Sequence, residues 1–131
     1  MKTTWPKKAI PQQRAATEEL LRRLRLKYPG RILKTALFGS VARGTFNTDS
    51  DIDVLILTDE LDTDTKWEMW GIAARVSLDF DVIIDPHVYS RELWESLRAK
   101  GRALCRNVER EGVKLKLRPA PAIPASASRL L

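Results

Sequence analysis

Two aspartates, Asp51 and Asp53, stand two residues apart at the start of an apolar run that ends at Thr58. Residues two apart on a β-strand point to the same face, so these two carboxylates would lie side by side. Adjacent carboxylates repel each other unless a cation sits between them, and oxygen ligands suit Mg²⁺ or Mn²⁺. The pair predicts a divalent metal site, although an isolated Asp-x-Asp is also typical of a solvated strand end.

A Gly-Ser turn lies eleven residues before the aspartate pair, at Gly39 and Ser40. Backbone amides at the turn from a strand into a helix suit phosphate oxygens, and the serine hydroxyl can donate to them. Taken alone, the same dipeptide is also an ordinary capped turn. Arg43 either contacts a phosphate or pairs with an acid, and Ser50 either closes a turn or contacts a triphosphate. These four residues are our candidate phosphate-binding residues.

The elements that must position these groups alternate between strands and helices. Apolar periodicity and turn residues predict helices over 11–28, 41–43, 62–78, 91–100 and 103–111. They predict strands over 31–38, 51–58 and 80–89, with a short edge strand over 113–117. This order predicts an α/β (α+β) domain with a small mixed sheet flanked by helices. We expect a basic N-terminal lead over 1–10, one domain over 11–117 and a flexible Pro/Ala-rich tail over 118–131.

Composition sets the class of protein. The chain has 131 residues, of which 44% are hydrophobic and 31% charged, as expected of one soluble globular domain. No apolar run is long enough for a membrane-spanning helix, and the N-terminus lacks the pattern of a secretory signal. The single cysteine, Cys105, excludes an intramolecular disulfide and a zinc site built from cysteines. We therefore expect a cytoplasmic protein with no membrane partner.

Charge is distributed unevenly along the chain, whose net charge is +6. Residues 1–34 carry ten Lys/Arg against two Glu, and residues 96–131 carry nine against two. Between these two basic wings, residues 35–95 carry four Lys/Arg against thirteen Asp/Glu. A plain nucleic-acid-binding module does not need such an acidic centre, so we do not expect nucleic acid to be the main partner.

The two motifs together are more specific than either one. Phe-Gly-Ser-x-Ala-Arg-Gly over 38–44, followed by Ser-Asp-x-Asp over 50–53, resembles the polymerase-beta-like nucleotidyltransferase superfamily, and within it the minimal nucleotidyltransferases. The similarity extends to Arg-x-x-x-Arg-Glu-Gly-Val-x-Leu over 106–115. A P-loop is excluded, because no Gly-Lys-Ser/Thr follows the glycine. The resemblance implies the polymerase-beta-like fold.

The resemblance also implies a third carboxylate on the next strand, about five residues before the cap of the following helix. Ser90 is the predicted cap, which points to Asp85. A bulge at Pro86 would change the side-chain parity of this strand, and that leaves Asp81 as the alternative. For His87, the only histidine, we expect a solvated or edge-strand position, with a catalytic base as the alternative.

The activity implied by the resemblance is transfer of a nucleoside monophosphate, AMP from ATP, onto an acceptor hydroxyl with release of pyrophosphate. Asp51 and Asp53 would bind the metal on the triphosphate, and Asp53 and Asp85 would hold a second metal near the acceptor oxygen. The implied partner is a helical HEPN-type protein in a toxin–antitoxin pair, modified on a tyrosine, which gives this chain the antitoxin role. The alternative hypothesis is that the chain is a non-catalytic module that neutralises its partner by association. A third hypothesis is a nucleic-acid-binding module. Homo-oligomer formation is left open.

Overall fold

The computed structural model describes residues 1–116, and the predicted tail over 118–131 lies outside this range. Helices and strands follow the predicted alternation. The helices are α1 (Pro11–Lys27), α2 (Gly39–Arg43), α3 (Thr63–Phe80), α4 (Arg91–Ala99) and α5 (Ala103–Glu111). The strands are β1 (Ile32–Phe38), β2 (Ile52–Thr58), β3 (Ile84–Ser90) and β4 (Val113–Leu115). Among the described residues, no helix combines the length and the apolar character needed to cross a bilayer.

Helix starts are set by local chemistry that the sequence makes visible. Pro11 occupies the first turn of α1, where its missing amide hydrogen is not needed. Asp62 caps α3 by accepting a hydrogen bond from the Thr65 amide at 2.7 Å. Ser90 caps α4 in the same way, accepting from the Leu93 amide at 3.1 Å. The predicted serine cap is confirmed, and it fixes the turn that joins β3 to α4.

The four strands form one mixed sheet in the order β3-β2-β1-β4. β1 is antiparallel to both β2 and β4, whereas β2 and β3 run parallel. The parallel pair is connected through α3, as a crossover between parallel strands requires. The mixed sheet flanked by helices confirms the predicted fold class, and β4 is an edge strand as expected.

Each face of the sheet carries its own apolar cluster. On one face, α1 and α3 cover the larger cluster, which includes Leu20, Leu24, Ile56 and Val76, all fully buried. On the other face, Trp94 of α4 and the α5 residues Cys105 and Val108 pack against residues of β1 and β2. Cys105 is 2% exposed, which agrees with a packing residue.

The third strand differs from the prediction at its beginning. α3 continues to Phe80, and Asp81 ends it in the left-handed conformation with φ of 52°, so β3 begins only at Ile84. The bulge at Pro86, on which the alternative Asp81 depended, is absent: β2 and β3 pair without a register shift from Ile52↔Ile84 to Thr58↔Ser90. Since β3 is an edge strand, the missing amide hydrogen of proline is tolerated there.

Candidate active site

Strand directions bring three sequence motifs to one end of the sheet. β1 ends beside the beginning of β2 because the two are antiparallel, and β3 begins there because it is parallel to β2. Phe38, Asp53 and Asp85 are consecutive partners across β1, β2 and β3. The side chains of such a row share one face of the sheet, and this is the face covered further along by α4 and α5. The candidate site therefore lies at the open end of this face.

Asp53, Asp85 and His87 form a tight cluster at that end. The His87 Nε2 atom lies 3.2 Å from Asp53 Oδ1 and 3.3 Å from Asp85 Oδ2. One ligand atom from each of the three residues lies within 4.8 Å of the other two. The Phe38 ring packs against the imidazole in an edge arrangement, with ring centroids 4.8 Å apart. The cluster thus offers two carboxylates and one ring nitrogen around a common point.

The electrostatics of the cluster favour a protonated histidine. The hydrogen bond with Asp53 raises the pKa of His87 above its ordinary value, and the charge of Asp85 acts in the same direction. Partial burial of the ring opposes this rise in pKa. The imidazole ring occupies the position between two carboxylates where a metal cation would otherwise relieve their repulsion.

Gly39 makes the close approach of Asp53 to the β1–α2 turn sterically allowed. Its φ is 75°, a left-handed conformation that favours glycine. A Cβ atom at this position would lie 2.2 Å from Asp53 Oδ2. The glycine of the Gly-Ser motif therefore leaves room for the Asp53 carboxylate of the Asp-x-Asp motif.

Two of the predicted carboxylates lie outside this cluster. Asp51 precedes the first residue of β2 and is exposed, and its side chain is not among the three that converge. Asp81 is exposed at the end of α3, three residues before β3 begins, so the strand parity on which this alternative depended does not apply to it. Asp85 is the acid that the structure brings next to Asp53.

The loop between α2 and β2 is held by Asn47. The Asn47 amide donates to Ser50 Oγ at 2.9 Å, and the Ser50 amide donates back to the Asn47 carbonyl at 3.2 Å. The same carbonyl accepts from Nε2 of Gln13 at 3.1 Å, and Gln13 is buried in α1. Ser50 thus closes the turn, which is the first of its two predicted roles, and its contact with a triphosphate stays a prediction.

Arg43 has an acidic partner far away in the sequence. Its Nη1 lies 2.9 Å from Glu111 Oε2, at the end of α5. The hydrogen bond from Arg43 holds the pKa of Glu111 below its usual value, and burial opposes this effect. Ser40 is half-buried, and its carbonyl accepts from the Gly44 and Thr45 amides. The ion pair ties α2 to α5, and the predicted phosphate contacts of Arg43 and Ser40 stay predictions.

Sequence reasoning underweighted His87 and missed Asn47 and Gln13. The Asp-Pro-His order puts Asp85 and His87 on one face of a strand, and this signal was available before the structure. Asn-Thr-Asp-Ser is a recognisable turn sequence. Nothing in the sequence distinguishes Gln13 from any other polar residue of a first helical turn.

Comparison with known families identifies one that spans most of the chain. The family model described as a nucleotidyltransferase domain matches residues 17–115. A protein of Methanocaldococcus jannaschii, provisionally named a protein adenylyltransferase, is 38% identical over 97 residues, which cover 74% of this chain and 91% of that protein. A second such protein of the same organism is 43% identical over 61 residues, which cover 46% of this chain and 62% of that relative.

Solved structures share the fold. A chain from a crystal structure of a toxin–antitoxin pair with AMP-PNP is 27% identical, with a TM-score of 0.55, covering 82% of this chain and 73% of that one. A chain from the complex of a tri-AMPylated Shewanella oneidensis HEPN toxin with its MNT antitoxin is 25% identical. Its TM-score is 0.51, and the match covers 79% of this chain and 71% of that chain.

Proposed function

The chain belongs to the nucleotidyltransferase domain family, and from this premise we propose that it transfers AMP from ATP to a hydroxyl of a partner protein, releasing pyrophosphate. The observation that carries the proposal is the pairing of Asp53 with Asp85 on adjacent strands, directly beside Gly39. Relatives named as protein adenylyltransferases support AMP as the transferred group and protein as the acceptor class.

The donor set of the site fits a divalent metal ion. Two carboxylates converge with one ring nitrogen within 4.8 Å, and carboxylate oxygens are the ligands that Mg²⁺ and Mn²⁺ prefer. Asp51, Asp53 and Asp85 would hold the metal, with Asp51 turning toward the pair from its exposed position. A bound divalent ion would supply charge neutralisation for the triphosphate and a lowered pKa for the acceptor hydroxyl. The register with Asp53 supports Asp85 over Asp81 as the third carboxylate.

Residues of the β1–α2 turn would orient the triphosphate. Gly39 leaves the backbone open, and the Ser40 hydroxyl would donate to a phosphate oxygen. Arg43 would reach a phosphate only after leaving Glu111, and Ser50 would do so only by giving up its hydrogen bond from Asn47. We therefore assign the main orienting role to Gly39 and Ser40, and a secondary one to Arg43 and Ser50.

The proposed acceptor is a tyrosine of a HEPN-type toxin, with this chain as the antitoxin. The similarity to a chain from the complex of an AMPylated HEPN toxin with an MNT antitoxin supports this assignment. We propose that the reaction takes place in the cytoplasm, which the supply of ATP there and the unpaired Cys105 support.

A second candidate function is neutralisation of the partner by association alone. The specific observation in its favour is that His87 already lies between Asp53 and Asp85. A protonated imidazole compensates both carboxylates without a metal ion, as expected of a site that no longer needs one.

Labelled ATP separates the two functions. We would incubate the full chain with Mg²⁺ and ATP labelled at the α-phosphate, with and without a HEPN-type protein, and measure protein-bound label and released pyrophosphate. Wild type and the control Asp64→Asn, which alters an exposed acid of α3, should transfer label, whereas Asp53→Asn should not. Wild type that binds the partner but neither binds ATP by calorimetry nor transfers label would establish the association function and contradict the enzymatic one.

A further inference from the structure

A groove of about 330 Å³ runs between the N-terminal lead, α1 and β4. Five basic residues line it, together with one acidic residue, Glu18. The basic residues are Arg14, Arg22, Arg25, Lys114 and Lys116. We call this feature the basic groove.

The basic groove joins the two basic wings of the sequence. Arg14, Arg22 and Arg25 come from the N-terminal wing, and Lys114 and Lys116 from the C-terminal one. Antiparallel pairing of β4 with β1 brings the second wing back beside the first. The lead is held there by two backbone hydrogen bonds: the Lys2 amide donates to the Gly112 carbonyl, and the Lys114 amide donates to the Lys2 carbonyl. The lead pairs with β4 at this single residue, and the groove opens where the lead moves on toward α1.

Among the residues that the structure describes, three cations of the groove have no counter-ion. Arg14 pairs with Glu18 at 3.3 Å, and Arg22 pairs with Glu19. Within residues 1–116, Arg25, Lys114 and Lys116 form no ion pair, and the Nε atom of Arg25 is buried without a hydrogen-bond partner. The excess of positive charge among the lining residues makes the groove complementary to an anionic ligand.

The remaining lining distinguishes between classes of anion. The apolar part of the lining is small: Leu21 and Leu115 are 5% and 7% exposed, and Trp5 is half-buried. Single-stranded nucleic acid is bound by stacking successive bases on several open aromatic side chains, whereas Trp5 is the one aromatic residue among the described residues that line the groove. A basic rim around a small apolar surface instead fits a peptide that carries apolar and acidic side chains. The groove volume is at the lower end for ligand pockets, which suits a short segment.

We propose that the basic groove binds a short acidic segment of a partner protein, with apolar side chains on Leu21 and Leu115 and carboxylates on Lys114, Lys116 and Arg25. This binding is separate from nucleotide transfer, because the groove residues do not overlap with the Asp53 cluster. It gives the two basic wings a common role, which is recognition of one acidic partner surface.

Peptide selection tests this proposal on the full chain. A random library of short peptides displayed on phage is selected on wild type and counter-selected on the double variant Lys114→Glu/Lys116→Glu. Lys114 is exposed on the edge strand β4 and Lys116 is exposed just after it, and neither forms an ion pair with the described residues, so the variant should fold. Its matched control is Arg75→Glu/Lys100→Glu, which changes the net charge equally at two exposed positions away from the groove.

The expected result is a set of selected peptides rich in Asp, Glu and apolar residues. They should bind the groove variant about tenfold or more weakly than wild type and the control, and their affinity should fall as salt is raised. Selected peptides without acidic enrichment, or equal binding to the groove variant, would overturn the proposal. Groove-dependent binding of a labelled oligouridylate in place of peptide would overturn it as well, by assigning the groove to nucleic acid.

Discussion

Replacing Gly39 by alanine tests how the Gly-Ser turn and Asp53 depend on each other. A Cβ atom there would lie 2.2 Å from Asp53 Oδ2, whereas real Cβ contacts do not fall below 3.0 Å. The carboxylate must therefore move by close to 1 Å, and the left-handed φ of 75° adds about 1–2 kcal/mol of backbone strain. We expect Gly39→Ala to lower the free energy of unfolding by roughly 2–4 kcal/mol in all. In the proposed reaction, a displacement of this size in Asp53 should lower the rate of AMP transfer about 100-fold.

Two other glycines separate the causes. Gly30 has φ of 74° but no atom within 4 Å of its virtual Cβ, so Gly30→Ala reports the backbone strain alone. Gly71 lies inside α3 with equally open surroundings, and Gly71→Ala should stabilise the protein by about 0.5–1 kcal/mol through helix propensity. Urea denaturation of the three variants measures each free energy, and the excess of Gly39→Ala over Gly30→Ala is the steric cost of displacing Asp53.

The same substitution in the Asp53→Ala background provides the decisive comparison. Without the carboxylate, the nearest remaining Asp53 atom is Cβ at 3.4 Å, an ordinary contact. Gly39→Ala should then cost no more than Gly30→Ala does. An unchanged cost of Gly39→Ala in both backgrounds would refute the reasoning, because the loss could not then come from the contact with Asp53.

Three further outcomes follow from the packing and charges. The Arg43 hydrogen bond lowers the pKa of Glu111, so the pair stabilises the protein above the unfolded-state pKa and this stability is lost as pH falls. Glu111→Gln should therefore be less stable than wild type at neutral pH, and urea titrations should show this difference disappearing as the pH falls through the lowered folded-state pKa of Glu111. Trp94→Ala should lower the free energy of unfolding by about 3–5 kcal/mol, because the ring is 4% exposed beneath α4; chemical denaturation that gives under 1 kcal/mol would contradict this packing. Burial raises the pKa of the Cys105 thiol, so a thiol reagent should label it only as fast as the protein unfolds; rapid labelling of folded protein would contradict that burial.

Much of the fold was predictable because the signals are local. Apolar periodicity located α1 and β2, and the side-chain cap of α4 was visible at Ser90. The beginning of β3 was predicted too early because α3 ends at Asp81, which adopts the left-handed conformation that usually marks glycine. A non-glycine residue in that conformation is stabilised by its surroundings, which sequence patterns do not contain.

Most residues of the candidate site were predictable from the sequence, but their arrangement in space was not. The motif spacing pointed to Gly39, Ser40, Asp51 and Asp53 as candidates before the strand order was known, and the family resemblance implied Asp85, with Asp81 as the alternative. His87 was expected at an edge strand, where it lies, but its contact with Asp53 depends on the parallel register of β2 and β3. Asp51, placed beside Asp53 by strand parity, instead precedes the strand and is exposed.

By itself, the sequence determined the elements, the fold class and the family, because capping, periodicity and motif spacing act over short stretches of chain. Tertiary structure alone decided which charges meet. It placed Arg43 against Glu111, 68 residues away, and brought two separate basic wings into one groove beside β4. Such contacts depend on the order and register of strands, which arise from the packing of the whole chain and are not encoded at any single position.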